Sequence, residues 1–160
     1  MQRDKIVQAE EYFELAYKSH IDGEILRAIE HYKQSIEIFP TAKAHTFLGW
    51  AYSLLGNYEE AIAECKTAIG IEPEFGNPYN DIGSYLINLG RPDEAVEWLE
   101  KAIEAPDYEP RHFPYYNLGR IYEKRGDWFV AMIFYNKSLA LNPDYEMAQD
   151  SVIRITTLLN

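Results

Sequence analysis

Cysteine is almost absent from the chain. Cys65 is the single one in 160 residues, so no internal disulfide can form, and a reducing compartment is favoured. Positive charge is scarce as well. Fifteen Lys and Arg face 26 Asp and Glu, a net charge of −11. That balance argues against a general nucleic-acid binder, because phosphates call for a basic surface. Long apolar runs are missing: no stretch reaches the roughly 18 consecutive apolar residues that mark a membrane-spanning helix. The opening MQRDKIVQAEEYF is too charged for a secretory signal and carries no cysteine for a lipid anchor. A cytoplasmic location is the expectation.

Catalytic signatures are lacking too. His20, His31, His45 and His112 are scattered, with no HExxH and no paired cysteines, so no metal site is indicated. There is no GxxxxGK[ST], no GxGxxG and no GxSxG. The carboxylates fall in sets such as Glu59, Glu60, Glu64 and Glu97, Glu100, Glu104, which a solvated helix surface explains better than acid–base chemistry. Neither catalysis nor a cofactor is expected.

What the chain does contain is apolar material and a period. Hydrophobic residues make up 47% and aromatics 14%, enough for a sizeable core and unlike a disordered chain. Ala28, Ala61, Ala95 and Ala131 recur at spacings of 33, 34 and 36 residues. Five residues before each stands a glycine, Gly23, Gly56, Gly90 and Gly126, and a small residue recurs upstream as Ala16, Gly49, Gly83 and Gly119. The stretch from Ala42 to Glu74 shows the unit most clearly. It has two apolar helical runs separated by Gly56-Asn57, with Leu48, Gly49 and Tyr52 on the first run and Ala61, Ala68 and Pro73 marking the second. Mid-helix glycines cost about 1 kcal/mol against alanine. Gly49, Gly83 and Gly119 are therefore expected to mark close helix packing, each facing the alanine of its partner helix. A unit this small cannot bury its apolar face alone, so the units must stack.

This pattern resembles the tetratricopeptide repeat, a helix–turn–helix unit of about 34 residues, over roughly Ala9 to Tyr145. The resemblance implies an all-α fold, a right-handed solenoid of antiparallel helix pairs. One domain over 1–160 is expected, with repeats at about 9–41, 42–75, 76–111 and 112–145 and a capping helix at about 146–159. The first repeat diverges most but keeps Tyr12, Leu15, Ala28, Tyr32 and Ile36 at helical apolar spacing. Met1 to Gln8 reads as a frayed or helical extension. Asn57 is placed to cap its helix, and Pro92 suits a helix start. Glu97 and Lys101, four apart, suggest a surface pair. Cys65 occupies a core-aromatic position of the repeat and reads as a buried, inert thiol. The link APDYEPRHFP carries three prolines and two extra residues. It reads as a longer loop on the solenoid edge, or as a device that tilts the fourth repeat. In the tail, Ala148, Val152, Ile155 and Leu159 share one helix face. Ile153 and Leu158 fall partly off it, a hint of self-association through the C-terminal helix.

The resemblance also implies that first helices line a concave side. The partner-binding residues it designates are Phe13 and Tyr17; Lys43, Trp50 and Leu54; Asn77, Asn80 and Ser84; and Phe113, Tyr116, Arg120 and Lys124. Aromatics and arginine are common binding anchors, and the asparagines suit a peptide backbone. Lys43, Arg120 and Lys124 would favour an acidic ligand. The expected function is a non-catalytic scaffold holding a peptide or helix of a protein partner, with a self-associating structural protein, or a segment of a larger assembly using its end faces, as the alternative. Family members that grip acidic chaperone tails use a clamp of Lys, Asn, Asn, Lys and Arg. The corresponding positions here are Phe13, Tyr17, Phe47, Asn77 and Asp81, or Thr46, Trp50, Asp81, Phe113 and Asn117. Neither set carries the clamp, so that mode of binding is not expected.

Overall fold

The computed structural model describes residues 1–160 as nine α-helices. Four pairs run in order: α1 (Gln2–Ile21) with α2 (Ile25–Ile38), α3 (Ala42–Leu54) with α4 (Tyr58–Ile71), α5 (Asn77–Asn88) with α6 (Pro92–Glu104), and α7 (His112–Lys124) with α8 (Trp128–Leu141). A ninth helix, α9 (Glu146–Leu159), follows.

Each pair turns on a glycine. Gly23, Gly56, Gly90 and Gly126 have φ of 81°, 78°, 74° and 77°, the left-handed region that side chains resist. The next residue's N–H then reaches back across the turn, as Asn57 N–H does to the Tyr52 carbonyl at 3.0 Å and Arg91 N–H to Leu86 at 2.8 Å. These bonds satisfy carbonyls the helix end leaves open.

The mid-helix glycines make room for a different partner than expected. A Cβ on Gly83 would strike the Leu99 side chain, and one on Gly119 would lie 2.5 Å from the Tyr135 ring. At Gly49 it would meet the Ala61 carbonyl oxygen at 2.9 Å and Cys65 Sγ at 3.3 Å. Only at Gly49 does the recurring alanine share the contact. The space otherwise belongs to the residue one turn further on, because helical side chains lean back over the preceding turn. Tyr32, Cys65, Leu99 and Tyr135 hold that position in the four pairs, and all are fully buried. Burial also pushes the Cys65 thiol well above its ordinary pKa, which keeps it out of the reactive thiolate form.

Several local expectations change. Thr41 and Asp127 cap α3 and α8 through their side chains, but Asn57 makes no such bond at the start of α4. Of the two readings of Met1 to Gln8, the helical extension holds: α1 runs from Gln2. Leu15 points outward and is 49% exposed. Pro92 does open α6, and Lys101 pairs with Glu97 at 3.0 Å.

The proline-rich link is not a free edge loop. Gly76 N–H donates to the Asp107 carbonyl at 2.8 Å, and Asp107 N–H to Glu74 at 3.1 Å. Tyr108 is buried against Ala102 and Ala105, and a Cβ on Gly76 would collide with it. Arg111 donates to the carbonyls of Ile103 and Ala105 at 3.2 and 2.6 Å. The link is thus tied to the turn before α5 through Asp107 and Tyr108, and the start of α7 to the end of α6 through Arg111.

At the far end, α9 buries Ala148, Ser151 and Ile155, with Val152 half-buried. Leu159, expected to pack, is exposed in the last turn, as are Ile153 and Leu158. Arg154 donates to both Glu123 carboxylate oxygens at 2.9 and 2.8 Å, and the Tyr135 hydroxyl donates to the same carboxylate at 2.6 Å. These bonds hold Glu123 below the usual carboxylate range and fasten α9 to the last pair.

Candidate partner-binding groove

The first helices α3, α5 and α7 and the start of α9 enclose a hollow of about 370 Å³. Trp50, Leu54, Ser84, Phe113, Tyr116 and Arg120 line it, together with Asn88, Asp81 and Tyr145. A smaller hollow of about 280 Å³ adjoins it through Trp50, Asp81 and Phe113, and adds Asn77, Thr46 and Phe47.

The aromatic walls are braced from behind. Trp50 is 37% exposed, and its ring lies tilted against His20 with centroids 3.9 Å apart. His20 Nδ1 and the Tyr32 hydroxyl lie 3.1 Å apart, and burial lowers the His20 pKa. Across the groove, Phe113 lies tilted against His112 at 4.1 Å and meets the Tyr145 ring edge-on at 5.5 Å. Tyr116 packs against Tyr135 and Tyr145 and shows only 9% of its surface.

The polar residues form a chain across the floor. Asn117 Nδ2 donates to Asn80 Oδ1 at 3.0 Å, Arg120 Nη1 donates to Asn117 Oδ1 at 3.0 Å, and Arg120 Nη2 to Asn88 Oδ1 at 3.3 Å. Asn80 is buried, and its amide oxygen is already taken. It links α5 to α7 through that bond and also lines the hollow.

Four designated residues lie outside the groove. Phe13 is buried beneath Tyr32 and Phe47, with centroids 5.5 and 5.2 Å away. Lys43 Nζ sits 4.2 Å over the Phe13 ring and 3.5 Å from Glu10. Tyr17 is exposed, edge-on to Phe47 at 5.8 Å. Lys124 lines a third hollow, with Glu123, Trp128 and Arg154, which adjoins the groove through Tyr116 and Arg120. Two of the three cations expected to favour an acidic ligand are therefore absent from the site. Asp81, named above only as a position that lacks the clamp, is not among the designated residues, although it stands four residues after Asn77 and so on the same helix face. Asp81 is half-buried on the groove floor and takes part in no ion pair. Desolvation raises its pKa to about 7, with Asn80 opposing part of the shift.

Family models described as tetratricopeptide repeat match residues 42–75, 77–107 and 112–145. The chain belongs to the tetratricopeptide-repeat family. Tetratricopeptide-repeat proteins are in general protein-interaction scaffolds rather than catalysts, and no helix of this one is long and apolar enough to cross a membrane. It is 37% identical over 78 residues to a small glutamine-rich tetratricopeptide repeat-containing protein 2 of Mycosarcoma maydis, covering 48% of this chain and 22% of that protein. It is 24% identical over 136 residues to anaphase-promoting complex subunit 3 of Schizosaccharomyces pombe, covering 84% of this chain and 20% of that one. The chain thus spans about a fifth of the length of these curated relatives. Among solved structures it is similar to PilW, described as a type IV pilus biogenesis factor, with a TM-score of 0.85 at 22% identity over 94% of this chain and 69% of that one. That likeness concerns the fold.

Proposed function

We propose that the concave groove holds an extended or helical segment of a partner protein, without catalysis. The observation that supports this reading is apolar surface left open in a concavity. Trp50 and Leu54 are 37% and 54% exposed on α3, facing the same hollow as Phe113 and Arg120 of α7. Exposed aromatics braced by their neighbours suit binding anchors, since little side-chain entropy remains to be lost. Trp50, Leu54, Asn77, Ser84, Phe113, Tyr116 and Arg120 form the contact set. Phe13, Tyr17, Lys43 and Lys124 lie outside it. The four repeats and α9 act as one unit in this reading.

A Trp50→Ala, Leu54→Asp double variant tests it. Both side chains are partly exposed, so the helical fold is expected to survive with a lowered melting midpoint, which circular dichroism checks. A partner captured from native lysate by wild type is expected to be lost, at 2 kcal/mol or more for a hot-spot residue. Equal capture by both proteins sinks the proposal.

A second reading, self-association through α9, draws on Ile153 and Leu158, which are 63% and 60% exposed. Light scattering is then expected to show mass rising with concentration, and Ile153→Glu to abolish the rise. A mass independent of concentration removes this reading.

A further inference from the structure

We infer that the smaller hollow receives one cationic side chain, a Lys or Arg of the bound segment, which enters among Phe47, Trp50 and Phe113 and pairs with Asp81. The inference rests on the groove reading and adds the charge of the ligand.

The hollow of about 280 Å³ has six lining residues: Thr46, Phe47, Trp50, Asn77, Asp81 and Phe113. Aromatic faces and one carboxylate make a site for a cation, through ring quadrupoles and direct charge pairing. An anionic group there would meet Asp81. A purely apolar one would cover the carboxylate and leave it without a partner, which is costly.

Asp81 has no internal cation to satisfy it. Lys43 is held by Glu10 and the Phe13 ring. Arg120 is hydrogen-bonded to Asn117 and Asn88, and Arg111 to backbone carbonyls. The Asp81 charge is felt by Cys65 of α4, by Tyr85 of its own helix α5 and by Tyr108 of the α6–α7 link. Burial keeps all three in their neutral forms. Arg120 shares the larger hollow with Asp81 but forms no ion pair with it. The imidazoles behind the two walls, His20 against Trp50 and His112 against Phe113, have pKa values lowered by burial. They stay uncharged at neutral pH and do not repel an incoming cation. Thr46 spends its hydroxyl proton on the Ala42 carbonyl at 2.8 Å, so it does not compete for the carboxylate.

The test is selection of random linear phage-displayed peptides on the full chain at about pH 8, above the Asp81 pKa of about 7. The selected peptides are expected to share one Lys or Arg. Replacing that residue by Gln, or using Asp81→Asn protein, is expected to weaken binding about tenfold or more. Binding is also expected to weaken as pH falls below about 7, when Asp81 takes up a proton. The peptide-side replacement reads the contact without altering the protein, so it stands even if the variant misfolds. Peptides that are lost with Trp50→Ala, Leu54→Asp but share no basic position, or ignore Asp81→Asn, overturn this inference and leave the groove reading standing. Absence of any peptide sensitive to the Trp50→Ala, Leu54→Asp variant overturns both.

Discussion

Leu99→Ala is expected to destabilise the chain by about 2–5 kcal/mol, the range for emptying a fully buried leucine site, and Gly83→Ala in the same chain to recover part of that loss. Leu99 is fully buried among Ala61, Ile62, Cys65, Ile82 and Ile121. It fills the space that the absent Gly83 side chain leaves on α5. Alone, Gly83→Ala forces a methyl into Leu99, which packed neighbours prevent from moving. Overpacking of that kind costs about 1–3 kcal/mol, offset by about 1 kcal/mol of gained helix propensity. With Leu99 already shortened, the collision is gone and the methyl refills part of the cavity. The two changes are in contact, so a coupling of about 0.5–3 kcal/mol is expected in a double-mutant cycle. Urea midpoints of the four proteins measure it. Strict additivity would show that the glycine is not there for Leu99.

That pair also marks how far the sequence was readable. The period of the alanines and turn glycines placed every helix pair, because each turn needs a residue with positive φ. The small residues Gly49, Gly83 and Gly119 announced close packing. Their partner was misjudged at Gly83 and Gly119, since matching positions by rank ignores the backward lean of helical side chains. Phe13 and Asn80 were assigned to a partner on the same one-dimensional logic. Helical periodicity tells which residues share a face, but not that Tyr32 and Phe47 cover one ring or that Asn117 claims the other's amide. The proline-rich link looked like an excursion because its anchor, Tyr108 over Gly76, joins segments about thirty residues apart in sequence. Asp81 was left out of the designated set because a carboxylate on an acidic chain looks like one more solvated charge. Burial separates it from Glu97 and Glu100, and the lack of a paired cation separates it from Glu97.

Asp81→Asn is expected to stabilise the free protein above pH 7 and to have almost no effect near pH 4. The folded-state pKa is raised to about 7 from an ordinary 3.8. Between those values the folded chain holds a proton that the unfolded chain releases, so stability falls as pH rises through that window. Below it both states are protonated and the penalty vanishes. Above it the penalty is complete, and one pH unit of displacement corresponds to about 1.4 kcal/mol, so a gain on the order of a few kcal/mol is expected from the neutral isostere. His20 and His112 act in the opposite direction. Their lowered pKa values make stability rise with pH through about 6.5 and somewhat below, where the unfolded state loses its extra protons. Subtracting the Asp81→Asn curve from wild type cancels those histidines and isolates the carboxylate. A difference that is flat with pH would mean that Asp81 is as well solvated as a surface acid, and it would remove the uncompensated charge from the groove. A difference that opens between pH 4 and 7, joined to loss of basic-peptide binding in the same variant, means that the chain holds a destabilising charge where a ligand's cation can meet it. Stability given up at a binding site in this way distinguishes a built receptor from an accidental hollow between helices.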